Sequence, residues 1–143
     1  MPTLPQVVLD TNVLVSAQRS SRGAAARLVS LIGTGRFDIH VSVPLVLEYE
    51  DVLLRHRAVL GLGADDVGDL VDAICSLATQ HEIYFLWRPF LRDAGDELVL
   101  ELAIKARCSH IVTYNLRDFH GAERFGVAVV EPRELLRQIG GIS

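Results

Sequence analysis

The chain is short of cysteine, of lysine and of long apolar runs. Two cysteines, Cys75 and Cys108, occur in 143 residues. That is too few for a disulfide scaffold, and their separation lacks the close spacing of metal-binding thiols. They read as buried structural thiols, and a reduced cytosolic compartment is the simpler expectation. No apolar run approaches the ~18 residues of a membrane span, so no membrane association is expected. The opening segment MPTLPQVVLD lacks a basic n-region and a long apolar stretch, so no secretory signal is expected either. A basic excess is missing too: 14 Lys and Arg against 18 Asp and Glu leave a net charge of −4. That balance argues against a general nucleic-acid coat protein. Linkers, repeats and low-complexity stretches are absent. The remainder, 50% hydrophobic, can bury a core without staples, and a single domain over 1–143 is expected.

What the chain has is an alternation of short apolar runs and helical patterns. Val7-Val8-Leu9, with Val13 to Val15 following, reads as a buried first strand ending near Asp10. Gly23 to Leu31 reads as a helix stopped by Gly33 and Gly35. Ile39, Val41 and Val43 alternate as a second strand, and Pro44 opens a helix to about His56. Asp65 to His81 reads as a helix capped by Asp65 or Asp66. Ile83 to Trp87 is a β-like run, and Pro89 and Gly95 bound a loop. Asp96 to Arg107 is helical, Ser109 to Tyr114 and Val127 to Val130 are strands, and Pro132 to Ile139 closes the pattern. Such alternation predicts an α/β fold with a mostly parallel central sheet and helices on both faces.

In open α/β sheets chemistry gathers outside the carboxyl ends of the strands. Asp10 follows the first strand directly. A half-buried carboxylate needs a cation or strong donors, although Asp10-Thr11-Asn12 also suits a plain Asx turn. Leu45, Glu48 and Val52 share one helix face, which puts a carboxylate on the apolar side. Asp51 and Arg55, by contrast, form an exposed i, i+4 pair. Asp96 heads a stripe with Leu100, Ala103 and Ile104. Glu97, Glu101 and Lys105 form the opposite, polar stripe. Asp96 also suits an N-cap, a role for which Asp93 competes. Asp118 and Asn115 follow the Ser109–Tyr114 strand, where a turn is the alternative explanation. Asp118 reaches a site at the strand end only if the chain turns back at once, anchored by buried Leu116 and Phe119.

Four acids from four segments thus converge where a parallel sheet has its crevice. Clustered like charges repel unless a cation sits among them. All-oxygen ligation suits Mg²⁺ or Mn²⁺ rather than zinc, and His40, His56, His81, His110 and His120 are scattered without zinc spacing.

At these residues the chain resembles a known family. The run V-V-L-D10-T-N-V-L-V-S-A resembles the opening motif of PIN-domain proteins, and P44-L-V-L-E48-Y-E-D-V-L-L-R resembles their second acidic motif. D93-A-G-D96-E-L-V-L-E-L-A103 and H110-I-V-T113-Y-N115-L-R-D118-F resemble the third and fourth. The order and spacing match over nearly the whole chain. The likeness is greatest to the VapC-like toxins of prokaryotic toxin–antitoxin pairs. One departure stands out: the family often has Gly-Asp after the Val-Thr of the last strand, where this chain has Tyr114-Asn115.

The resemblance implies a PIN-like three-layer sandwich. It implies a cytoplasmic, metal-dependent endonuclease that hydrolyses RNA, with Asp10, Glu48, Asp96 and Asp118 as catalytic and metal-holding residues and Mg²⁺ or Mn²⁺ as cofactor. An antitoxin partner and a homodimer are also implied, and Trp87, Phe90 and Leu91 offer apolar surface for the dimer. Thr11, Asn12, Thr113 and Asn115 are candidates for supporting hydrogen bonds, and the threonines suit plain strand structure equally well. Arg19, Arg22 and Arg117, together with Arg27 and Arg124, are candidates for phosphate contacts or for ordinary solvated surface. If the amide at Asn115 weakens the metal site, the alternative is a non-catalytic RNA- or protein-binding module. A phosphoacceptor receiver domain is disfavoured because the only lysine, Lys105, lies within a helical polar stripe. A haloacid-dehalogenase-type phosphatase is disfavoured because Asn12 stands where its second Asp belongs.

Overall fold

The computed structural model describes residues 4–82 and 94–140. Five strands form one parallel sheet: β1 (Gln6–Leu9), β2 (Asp38–Ser42), β3 (Thr79–His81), β4 (His110–Val112) and β5 (Ala128–Val130), in the order β3-β2-β1-β4-β5. Val7 pairs with both Ile39 and His110, so β1 lies at the centre. Among the described residues six α-helices accompany the sheet: α1 (Thr11–Arg19), α2 (Ala24–Ser30), α3 (Val43–Leu60), α4 (Ala64–Leu77), α5 (Ala94–Lys105) and α6 (Pro132–Gln138).

Successive strand side chains point to opposite faces. Val7, Val8 and Leu9 are nonetheless all buried, so both faces are covered, as a parallel sheet requires. This is the three-layer α/β sandwich expected from the alternation. Helix α5 packs against β1, β2 and β4, α1 against α2 and α3, and α2 against α6. The core joins Leu14 and Leu28 to Leu45, Leu102 and Ile111. Each such side chain contributes roughly 1.5–3 kcal/mol of transfer free energy.

The longest helix shows how local signals set boundaries. The Ser42 hydroxyl accepts from the Leu45 N–H at 3.3 Å and Pro44 fills the first turn, a favoured start. The helix stops where Gly61 takes φ +72°, a conformation open to glycine at little cost.

Several boundaries differ from expectation. Residues 11–19 are helical although Thr11, Val13 and Val15 are β-branched, because Asp10 caps the helix and Val13, Leu14 and Ala17 bury its inner face. Val43 belongs to α3 rather than to the second strand. The helix expected to reach His81 ends at Leu77, and Thr79–His81 pairs with β2 at the sheet edge. Helix α5 begins at Ala94, so Asp96 lies inside its first turn rather than capping it. Asp66 does not cap α4 from outside; it sits in the first turn and accepts the Gly63 N–H at 2.7 Å.

Two residues of α5 lie on the other face from the one expected. Glu101, placed on the polar stripe, is buried, whereas Ile104, placed on the apolar stripe, is 37% exposed. Burial raises the Glu101 carboxyl above its ordinary range; Lys105 opposes the shift and Glu97 adds to it. The Asp51–Arg55 surface pair is present at 3.3 Å. The expected strand 83–87, the loop after Pro89, Asp93 and the Trp87–Leu91 surface lie outside the described residues.

Candidate functional site

The sheet order reverses around β1: β2 lies on one side and β4 on the other. Chain connections diverge at such a point and leave a crevice beyond the strand ends. Asp10 and the segment after Thr113 both lie there.

Asp10 is 7% exposed, and its surroundings hold it firmly. Its Oδ1 accepts the Thr11 N–H at 2.8 Å, the N-cap bond of α1. Its Oδ2 accepts from the Thr113 hydroxyl at 2.8 Å and from Asn12 Nδ2 at 3.3 Å. The backbone agrees, since the Asp10 N–H donates to the Val112 carbonyl at 2.9 Å. A carboxylate at a helix N-terminus also meets the positive end of the helix dipole.

Thr113 is fully buried and ties the 10–12 segment to its own, 113–115. Besides donating to Asp10, its oxygen accepts from Asn12 Nδ2 at 3.2 Å and from the Asn115 N–H at 3.0 Å. Asn12 completes the link by accepting the Tyr114 N–H at 3.2 Å. Of the four residues considered for supporting roles, Asn12 and Thr113 enter this network through their side chains and Asn115 through its backbone. Thr11 belongs to a second connection: its hydroxyl donates to Glu48 Oε2 at 3.1 Å.

Glu48 is half-buried on α3, and its neighbour Tyr49 anchors that helix to the strand end. The buried Tyr49 hydroxyl donates to the Leu9 carbonyl, one residue before Asp10. Burial first, then the nearby charges of Asp10 and Glu48, raise the Tyr49 phenol well above its usual value near 10. Tyr49 therefore stays a neutral donor.

Asp96 lies in the first turn of α5, and Asp118 is exposed in a 3-10 turn, Leu116–Phe119. The chain does turn back after β4. Phe119 anchors that turn at 1% exposure, whereas Leu116, expected to help, is 43% exposed.

Asp10, Glu48, Asp96 and Asp118 all line one open cleft of about 600 Å³. Thr11, Asn12, Asn115 and Arg19 line it as well. Arg117 lines an adjoining hollow that shares Tyr114, Asn115 and Asp118 with the cleft. Arg22, Arg27 and Arg124 are exposed and do not contribute to the cleft's described lining. The donor set of carboxylate oxygens suits a hard divalent cation. Among the described residues, however, no three Asp, Glu, His or Cys side chains converge into a ready-made metal cluster. The acids share the cleft without closing on one point.

His56 is a cleft residue that the sequence pattern did not single out. It lines the cleft from α3, and the signal was its spacing of four from Val52 and eight from Glu48. His40 and His81, distant in sequence, meet at 2.7 Å on the sheet and do not line the cleft. Burial lowers the His40 pKa, His81 lowers it further, and Asp38 opposes the shift.

A parallel α/β sandwich with carboxylates around its switch point is the architecture at hand. The family model for the PIN domain matches residues 6–117, and the chain belongs to the PIN-domain family. A chain of the VapBC2 complex from Rickettsia felis, solved bound to a DNA fragment from its promoter, is similar in fold. The TM-score is 0.58 at 14% identity, over 87% of this chain and 96% of that one. No curated protein matches. No helix among the described residues is long and apolar enough to cross a membrane.

Proposed function

We propose that the chain is a Mg²⁺- or Mn²⁺-dependent endoribonuclease, the cytoplasmic toxin of a toxin–antitoxin pair. The observation that carries this reading is the presence of Asp10, Glu48, Asp96 and Asp118, from four separate elements, in one cleft at the carboxyl end of the sheet. Family membership and the likeness to a VapBC2 chain support it.

In this reading the four carboxylates hold the cation and RNA enters the open cleft. When held there, a cation would acidify water and offset phosphate charge. The chain's own part is positional. Asp10 is fixed by Thr11, Asn12 and Thr113, and Glu48 is oriented by Thr11. Such supporting bonds keep ligand oxygens aimed. No side chain is needed as a covalent nucleophile. Arg19 at one end of the cleft and Arg117 beside it offset the acids toward a polyanion, and Arg22 does so from further out on the surface.

The test is cleavage of labelled RNA by the purified chain with Mg²⁺, with Mn²⁺ and with excess EDTA. Metal-dependent cleavage supports the reading, and its absence under every condition refutes it. A second reading, a non-catalytic RNA- or protein-binding PIN module, is favoured by the lack of a converged acid cluster among the described residues and by the amide at Asn115. Calorimetry that detects RNA or partner binding but no Mn²⁺ binding supports this second reading. A single domain, an antitoxin partner and a homodimer complete the proposal. Light scattering that gives one monomeric mass at micromolar concentration contradicts the homodimer.

A further inference from the structure

Two helices border the cleft, and their cleft-facing residues repeat with the same step. On α3 these are Glu48, Val52 and His56; on α1 the series Thr11, Val15 and Arg19 has the same step, with Asn12 and Ser16 lining the cleft beside it. Both series advance by four residues, the spacing that keeps side chains on one helix face. The helices pack together, and the first pair is joined by the Thr11–Glu48 bond of 3.1 Å. The groove therefore grades from carboxylates, past two valines, to Arg19 and His56. At 1.5 Å of rise per residue, the eight-residue step puts that last pair about 12 Å along the helices from the acid level.

We infer that Arg19 and His56 form a subsite for an RNA nucleotide outside the scissile linkage, so that the strand runs along the α1–α3 groove. This inference rests on the ribonuclease reading above. Three features carry it. The backbone positions of the pair lie about 12 Å along the helices from the acid level, which favours contact with a neighbouring nucleotide over the scissile one. Both groups are planar: a guanidinium forks onto phosphate oxygens, and imidazole and guanidinium planes both stack on unpaired bases, the form in which RNA is read sequence by sequence. Both side chains are exposed, and among the described residues neither makes an ion pair or hydrogen bond within the chain. Val15 and Val52 between them offer an apolar surface suited to a sugar or base face. Arg19 also supplies positive charge that a chain of net charge −4 needs in order to draw a polyanion toward an acidic pocket.

The test uses the full chain and fluorescent 2′-O-methyl oligonucleotides, a trinucleotide and a decanucleotide of mixed sequence, in EDTA. The wild type should bind the decanucleotide more tightly. Arg19→Ala and His56→Ala should each weaken that binding by roughly tenfold. Arg19→Ala should also flatten the salt dependence by about 0.7 in log–log slope, the loss of one phosphate contact to a single strand. Arg55→Ala removes a nearby positive charge paired with Asp51 on the surface and should match the wild type. It controls for net charge, and circular dichroism controls for folding. Wild-type cleavage of RNA combined with unchanged decanucleotide binding in both variants overturns this inference alone, and the pair is then a surface for something other than RNA. A wild type that neither binds nor cleaves RNA overturns the ribonuclease reading itself.

Discussion

The hydroxyl of Thr113 donates to Oδ2 of Asp10 at 2.8 Å, across a separation of 103 residues. Thr113 directly follows β4 and Asp10 directly follows β1, the two strands paired at the switch of the sheet. One hydroxyl therefore fixes a carboxylate and registers the two strand ends. Thr113→Val keeps the shape but removes the donor to Asp10 and the acceptor for Asn12 and the Asn115 N–H. The expected cost is about 1–3 kcal/mol in urea denaturation, since buried polar partners are left unsatisfied. Metal affinity should fall about 10- to 100-fold, and Thr113→Ser should restore most of both.

Cys108 makes a pH-dependent contribution. Burial pushes its thiol up from 9.0 to about 12. The folded state thus holds the proton where the unfolded chain has lost it. Stability from this group is complete below about pH 9 and falls as pH rises toward 12, because the unfolded state binds fewer protons there. Cys108→Ala should show a shallower loss of stability between pH 9 and 11 than the wild type, as measured by urea midpoints. Equal slopes contradict it.

The fourth acid is the point where the chain departs from its family. Asp118 and Asn115 both line the cleft, and a carboxylate holds Mg²⁺ more strongly than an amide. Asp118→Asn should raise the Mn²⁺ concentration needed for half-maximal RNA cleavage by roughly tenfold. Asn115→Ala should do less, and Asn115→Asp should lower that concentration. If Asp118→Asn leaves the metal requirement unchanged, the site runs on three acids.

The sandwich and the places of the acids were legible because they rest on local pattern. An apolar run ending in Asp10, a Pro-initiated helix with Glu48 on its inner face and a helix beginning near Asp96 are each short-range signals. Helix α1 was not legible. Thr11, Val13 and Val15 favour strand locally, and the helix exists because Asp10 caps it and its inner face is buried, a tertiary decision over propensity. Strand β3 was hidden because three residues, Thr79–His81, carry too little pattern to be separated from the preceding helix. Glu101 looked like surface because helical periodicity does not reveal what packs on the polar side. His56 was passed over because its meaning depends on a second helix that brings Arg19 to the same cleft.

The central claim concerns Asp10 and is tested most directly by Asp10→Asn. The amide oxygen can still accept the Thr11 N–H and keep the N-cap of α1, so the fold should persist. Loss of a charge at 7% exposure among other acids should leave the metal-free protein as stable as before or more so. The measurement is the rate of RNA cleavage at matched Mg²⁺ or Mn²⁺ concentrations, with circular dichroism on the same samples. The account predicts unchanged spectra and a fall in cleavage of about a hundredfold or more. Full cleavage by Asp10→Asn with the same metal dependence as wild type would contradict it.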